Sequence, residues 1–80
     1  MDQHAPYNYF LNVTPSDTVD LERMTDAIYV GVTGDIAVVG QNGVPVTFKA
    51  VPVGQRLDVQ ARRVNAAGTT ATNLVALFYL

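Results

Sequence analysis

The stretch Gly34–Val51, GDIAVVGQNGVPVTFKAV, decides the fold of this chain because it predicts a β-hairpin. Its first half, Asp35 to Val39, is short, apolar and rich in β-branched residues, and its second half, Val44 to Val51, alternates apolar with polar side chains. Asn42 and Gly43 stand between the halves. Asn-Gly predicts a two-residue type I′ turn, since both central residues of that turn need positive φ.

Other segments with a period of two flank the hairpin. Ala27 to Val32 precedes it, and Leu57 to Ala61 follows a Pro-Gly turn at residues 52–55. The alternation breaks at Arg63-Val64, where a β-bulge and a strand end are equally compatible with the pattern. Gly31 indicates either a bulge or a close backbone approach. These patterns predict an all-β fold, a small antiparallel β-sandwich or barrel of about six strands.

The last predicted strand, Thr72 to Leu80, is apolar on both faces. Either it lies at the centre of a sandwich or closed barrel, or its second face packs on a neighbouring subunit, and it must be paired because an exposed edge of this composition would aggregate. The residues predicted to bury a subunit interface are Leu74, Val75, Leu77 and Tyr79.

The N-terminal residues change character sharply. Met1 to Pro6 predicts a flexible start, and an aromatic group then follows, namely Tyr7, Tyr9, Phe10 and Leu11. This group either forms a first strand or docks on a neighbouring subunit or another partner. We therefore divide the chain into an N-terminal arm, residues 1–12, and a β-sandwich or barrel domain, residues 13–80.

Composition limits the classes of function. Eighty residues provide one domain, and with no cysteine and one histidine the chain has neither a disulfide nor a zinc site to stabilise it. Association with other chains is the expected additional source of stability. A net charge of −2 with five scattered Lys and Arg residues argues against a nucleic-acid surface. No apolar run approaches the roughly 18 residues of a membrane span, and no signal peptide is evident. We expect a soluble protein made inside a cell.

No residue pattern supports catalysis or cofactor binding. His4 is the only histidine and has no cysteine to activate, and Ser16 beside Asp17 lacks a histidine for a triad. The acidic group Asp17, Asp20, Glu22 and Asp26 does not have EF-hand spacing, so turn and capping roles are the better interpretation. No helix follows the glycines to hold a phosphate, and Arg62-Arg63 fits a solvated strand face or a salt bridge to a partner. We predict a protein that is not an enzyme and has no cofactor or metal.

Several short motifs occur in an order and spacing that are more specific than any one of them. They are TPSDT at Thr14–Thr18, YVG at Tyr29–Gly31, GDIAVV at Gly34–Val39, VTF…VPVG at Val46–Gly54, RRV at Arg62–Val64 and GTTAT at Gly68–Thr72. Together they resemble the small head-spike base proteins of gene transfer agents and related tailed bacteriophages. The resemblance covers Val13 to Phe78; the aromatic arm and the charged segment Asp20 to Asp26 depart from it.

The resemblance implies a structural virion protein that acts by binding alone. Such subunits look like small β-barrels or sandwiches that form a ring at a capsid vertex and support a receptor-binding fibre. The implied partners are further copies of the chain, a pentamer before a trimer, together with the major capsid protein and the spike fibre protein. The location implied is the capsid surface of a virion assembled in the host cytoplasm. The alternatives are a capsid decoration or cement protein, and a small carbohydrate-binding module in which Tyr7, Tyr9 or Tyr29 stacks on sugar rings.

Overall fold

The computed structural model describes residues 6–80; residues 1–5, with His4 and most of the predicted flexible start, lie outside that range. The described chain forms seven strands and no helix. The strands are β1 (Tyr9–Asn12), β2 (Ala27–Tyr29), β3 (Gly34–Val39), β4 (Pro45–Val51), β5 (Arg56–Leu57), β6 (Arg63–Val64) and β7 (Val75–Phe78).

The strands form two antiparallel sheets that pack as a sandwich. The first sheet has the order β1-β7-β2-β5, and the second has the order β4-β3-β6. The predicted all-β sandwich is confirmed. The aromatic group before residue 13 supplies β1, which pairs with β7 in the register Tyr9 to Phe78 and Asn12 to Val75. The division of the chain into an arm and a domain at residue 12 stays a prediction.

The core lies between the sheets. Its buried cluster consists of Ile28, Val30, Ile36, Val38, Val51, Ala61, Val64, Ala71 and Leu74. β3 is the middle strand of its sheet, and its residues from Ile36 to Val39 are all buried. The loop after β6 covers its outer side, because a Cβ on Gly68 would lie 3.3 Å from the Ala37 side chain. The same loop bonds to the edge of β3, where Ala37 accepts a hydrogen bond from the Asn65 N–H (2.8 Å) and donates one to the Thr69 hydroxyl (2.9 Å). A short, continuously apolar strand is the pattern that burial on both faces requires.

The β3–β4 hairpin forms as predicted, but the predicted type I′ turn is wrong. The Gly43 N–H donates to the Gly40 carbonyl (3.2 Å), so the central residues of the turn are Gln41 and Asn42 rather than Asn42 and Gly43. Within this turn only Gly43 has a positive φ, of 79°. The Asn42 side chain instead accepts a hydrogen bond from the Val44 N–H (3.2 Å). The five-residue connection between Val39 and Pro45 reverses the direction of the chain without forcing Asn42 into a left-handed conformation.

The predicted strand from Leu57 to Ala61 is also wrong, because the chain leaves the first sheet after Leu57 and enters the second at Arg63. Thr25 holds this crossing. Its hydroxyl donates to the Val59 carbonyl (2.7 Å) and accepts from the Ala61 N–H (3.0 Å), and its own N–H donates to the Ala61 carbonyl (3.0 Å). The alternating side chains still face the core, although no partner strand pairs with this segment.

The two lateral flanks of the sandwich are built differently. On one flank β1 lies over β6, since the Ser16 N–H, four residues after β1, bonds to the Val64 carbonyl (2.9 Å). On the opposite flank β5 lies over β4, joined by the turn at residues 52–55, whose Gly54 N–H bonds to the Val30 carbonyl (2.8 Å). The edges β1 and β4 therefore face opposite sides of the molecule.

Candidate interaction surface

The strand register gathers apolar side chains on the face of the first sheet that points away from the core. Leu77 lies between Phe10 of β1 and Ala27 of β2, and Val75 lies between Asn12 and Tyr29. Residues directly opposite one another on antiparallel strands share a face. We call this the outer face and define it by Phe10, Tyr29, Val75, Leu77 and Tyr79, the last of which continues the alternation of β7.

Much of the outer face is open to solvent. Phe10 is 58% exposed, Tyr79 is 56% exposed and Tyr29 is 42% exposed, while Val75 and Leu77 between them are half-buried. Large apolar side chains that are scattered singly need no explanation, but a contiguous group on one sheet face is typical of a binding surface. Aromatic residues are also the type most enriched at the centres of protein interfaces.

The end of β7 is held in place even though its side chains are exposed. The Asn8 side-chain amide bonds to both backbone groups of Leu80, accepting from its N–H (2.9 Å) and donating to its carbonyl (3.2 Å). The Asp26 carboxylate accepts from the Tyr79 N–H (2.7 Å). An exposed side chain on a backbone that is already ordered loses less conformational freedom on binding. These clamps therefore favour Tyr79 and Leu80 as contact residues.

Tyr7 reaches across this sheet to its far edge. The Arg56 guanidinium lies 5.6 Å from the centre of the Tyr7 ring, a cation–π distance. Because β1 and β5 are the two opposite edges of the sheet, this contact places Tyr7 over the outer face. The Asp58 carboxylate accepts a hydrogen bond from Arg56 (2.7 Å), which raises the pKa of the guanidinium. The position of the Tyr7 ring is thus tied to a fixed ion pair.

The eight residues predicted from sequence to form interfaces do not all share one face. Phe10, Val75, Leu77 and Tyr79 come together on the outer face, with Tyr7 across it. Leu74 is only 3% exposed and belongs to the core of the single chain, so its side chain is not open to a partner subunit. Tyr9 and Leu11 lie on the opposite face of β1, as strand alternation requires.

Tyr9 has structural contacts within the chain. Its ring packs against Phe78 with centroids 5.5 Å apart, and its hydroxyl donates to the Glu22 carboxylate (2.7 Å). That hydrogen bond raises the pKa of the Tyr9 phenol, because the carboxylate stabilises the protonated form. Sequence reasoning did not assign Tyr29 to the apolar surface. The pairing of Tyr29 with Val75 identifies it, and that pairing is not readable from the local pattern.

Each member of the acidic group contacts a different partner. Asp17 accepts from the Ala67 N–H (3.0 Å), and Asp20 accepts from Arg63 (2.9 Å). Glu22 and Asp26 bond to Tyr9 and to the Tyr79 backbone, as described above. Four carboxylates in ten residues thus tie the loop between β1 and β2 to four other parts of the molecule.

Within residues 6–80 the structure contains no pocket and no cluster of three or more His, Cys, Asp or Glu side chains that could hold a metal ion. No helix in this part of the chain is long and apolar enough to cross a membrane.

Comparison with solved structures identifies a similar chain. It is part of a structure described as "Capsid of native GTA particle computed with C5 symmetry", where GTA denotes a gene transfer agent. The two chains are 36% identical and superpose with a TM-score of 0.84, over 91% of this chain and 84% of the other. No family model and no curated protein matches the chain.

The fold and this similarity define a structural protein associated with a capsid. At this identity and coverage, the chain belongs to the same family as the gene transfer agent capsid chain that it matches. Its location is accordingly the virion, and its role is structural.

Proposed function

We propose that this protein is a head-spike base, a homo-oligomer bound at a capsid vertex that supports a receptor-binding fibre. The observation that carries the proposal is the 36% identity to a chain of a gene transfer agent capsid whose structure was computed with C5 symmetry. Five-fold axes of an icosahedral shell pass through its vertices. The order of motifs from Thr14 to Thr72, which resembles head-spike base proteins, supports the same function.

The outer face supplies the contacts between subunits in this proposal. A ring of five copies is the expected assembly, with a trimer as the second expectation, and the major capsid protein and the fibre protein bind its two ends. The protein acts by binding alone, first in the host cytoplasm during assembly and then in the particle. Burying Phe10, Leu77 and Tyr79 removes apolar surface from water, at roughly 25 cal/mol for each Å².

Substitution on the outer face tests the assembly. Leu77→Asp places a charge at the centre of the apolar surface and is expected to abolish the oligomer seen by native mass spectrometry at low micromolar concentration. Because Leu77 is half-buried, Phe10→Asp provides a second variant at a more exposed position. Val19→Asp is the matched control, since Val19 is 67% exposed but lies in the loop between β1 and β2, away from the outer face. An oligomer that survives both outer-face variants at unchanged stability would contradict this interface.

The position on the particle separates this function from a capsid decoration or cement protein. Labelled protein added to gene transfer agent particles is expected at the five-fold vertices by electron microscopy. Label distributed over the faces between vertices would favour the decoration protein instead.

A carbohydrate-binding module is a second candidate, favoured by the exposed ring of Tyr29. Aromatic rings on a flat, open surface are a common platform for sugar rings. Binding on a glycan array that is lost in Tyr29→Ala would favour this candidate. Unchanged or absent glycan binding, together with vertex labelling, favours the head-spike base.

A further inference from the structure

β4 has a free edge at a place where the core is open. Among the described strands β4 pairs only with β3, and β5, which lies over it, contains just two residues. Val46 is opposite the buried Val38 and so lies on the inner face of its sheet, yet it is 53% exposed. Val44 beside it is 56% exposed. The N-terminal half of β4 therefore exposes apolar side chains on the inner face of its sheet, and no strand of the described chain covers them.

The backbone of β4 is available for pairing along this edge. The Ala37 and Val39 carbonyls of β3 accept from Asn65 and Arg62, so these residues direct their backbone groups toward β6. Ile36 and Val38 consequently face β4, and alternation turns the backbone groups of Pro45, Thr47 and Lys49 toward solvent. Pro45 lacks an N–H, which leaves two donors and three acceptors in the row.

β1 offers a complementary edge on the opposite flank. The Val13 N–H donates to the Leu74 carbonyl (3.0 Å), so alternation directs the backbone groups of Leu11 toward β7 and those of Phe10 and Asn12 toward solvent. β1 contains no proline and no charged residue, the usual devices that block pairing at a sheet edge. The Phe10 side chain, 58% exposed, stands at this edge.

Resting on the proposed function, we propose that β1 of one copy docks along the free edge of β4 of the next copy, head to tail, with Phe10 covering Val44 and Val46. A closed ring of more than two copies needs two different contact surfaces on each copy, and these two edges lie on opposite flanks of the sandwich. The C5 symmetry of the similar capsid structure favours a second copy as the occupant.

The layer geometry fits this docking. The copy that supplies β1 is shifted by the thickness of one sheet, so that its first sheet lies in the same plane as the second sheet of the copy that supplies β4. The outer face of that first sheet and the inner face of that second sheet then point in the same direction. Phe10 of one copy is therefore beside Val46 of the next.

Cysteine cross-linking tests the β1–β4 contact between copies, which we call the joint, without interference because the chain has no cysteine of its own. Asn12→Cys lies on the same face of β1 as Phe10, and Val46→Cys lies on the open face of β4. Under mild oxidation a mixture of the two single variants is expected to form a cross-linked dimer. A protein carrying both changes is expected to form a ladder that stops at the size of the closed oligomer. Disulfide formation requires Cβ atoms about 3.5–4.5 Å apart, so Val44→Cys is tested beside Val46→Cys to allow for register.

The control pair is Asn12→Cys with Val19→Cys, because Val19 is 67% exposed but lies in the loop on the β6 flank. No cross-link between copies is expected from it. Dimers formed by Asn12→Cys alone would show a two-fold contact and overturn the joint. A closed oligomer without the predicted cross-link would also overturn the joint but leave the proposed function standing. A monomer without cross-links would overturn the joint, and vertex labelling then decides the proposed function independently.

Discussion

Ala50 has a backbone conformation that usually belongs to glycine. Its φ is +52°, in the left-handed region. Lys49 and Ala50 together lie opposite Asp35, where the register of β3 and β4 shifts, so this is a β-bulge. The Asp35 carboxylate stabilises it by accepting from the Ala50 N–H (2.8 Å) and lying 3.5 Å from the Lys49 ammonium. One carboxylate thus holds an extra residue in the strand.

Ala50→Gly is expected to stabilise the protein by about 0.5–1 kcal/mol. Glycine has no Cβ and adopts this φ without the steric cost that alanine has, although part of the gain is lost to the greater entropy of the unfolded chain. Urea unfolding measures the change. Ala66→Gly is the control, since Ala66 is exposed and lacks a positive φ, and it is expected to lose stability. An Ala50→Gly protein that is less stable than the parent would contradict the strain assigned to the bulge.

The bulge also makes stability depend on pH. The Ala50 N–H, and to a lesser extent Lys49, holds the pKa of the Asp35 carboxyl below its usual range. Because the folded pKa is the lower one, the stabilisation is present above the unfolded pKa of about 3.9 and is lost as pH falls through the folded pKa. Asp35→Asn should therefore be less stable than the parent at pH 7, and the difference should shrink below about pH 4. A difference in urea midpoints that stays constant between pH 7 and pH 2.5 would show that the charge of Asp35 has no part in it.

Alternation predicted a strand over Val44 to Val51, but it did not predict the bulge within that strand. The pattern placed Ala50 on the same face as Val46 and Phe48, whereas the structure exposes Ala50 and buries Val51. Alanine does not favour positive φ, so its identity gives no sign of a bulge. The cause is the side chain of Asp35, fifteen residues earlier, and a contact at that separation has no local signature.

At the scale of the elements, two glycines allow the segment before β7 to cross close to the connection between the sheets. A Cβ on Gly31 would lie 2.5 Å from the Asn73 carbonyl oxygen, and one on Gly34 would lie 2.4 Å from the Ala71 nitrogen. Gly31 therefore marks a close backbone approach, one of the two possibilities that its position in the sequence allowed. The Val32–Thr72 bridge lies at the same crossing.

Gly34→Ala is expected to destabilise the protein by more than about 2 kcal/mol, because backbone atoms must move to admit the methyl group. Gly40→Ala is the matched control at the other end of β3. Its Cβ would meet its nearest atom, the Gln60 carbonyl oxygen, at an ordinary 3.7 Å, and it is expected to change stability by less than about 1 kcal/mol. Thermal unfolding compares the two. Equal effects would mean that the crossing is not tightly packed.

Element types were more predictable than element boundaries. The two-faced apolar pattern of residues 72–80 indicated a strand with neighbours, and β7 does lie between β1 and β2. The pattern could not decide what covers each face, because that depends on pairing with strands about 50 and 70 residues away in sequence. For the same reason it did not separate Leu74, which is in the core, from Val75 and Leu77 on the outer face. The break after Leu57 depends on Thr25, more than thirty residues earlier.

At the scale of the whole molecule, the sandwich has one core and leaves apolar surface in two places. One is the outer face of the first sheet, and the other is the open flank beside β4. Composition alone indicated association, since 80 residues without a disulfide have little stability to spare. The identity of the partners was not predictable from patterning. It depends on the family to which the chain belongs and on the proposals made from it.

The measurement that tests the central proposal most directly is the difference between electron cryo-microscopy reconstructions of particles made with and without this protein. We predict that particles lacking it lose density at the five-fold vertices, together with the fibres that the base supports, while the shell between vertices is unchanged. Loss of density spread over the capsid faces, or vertices that keep both base and fibre, would contradict it.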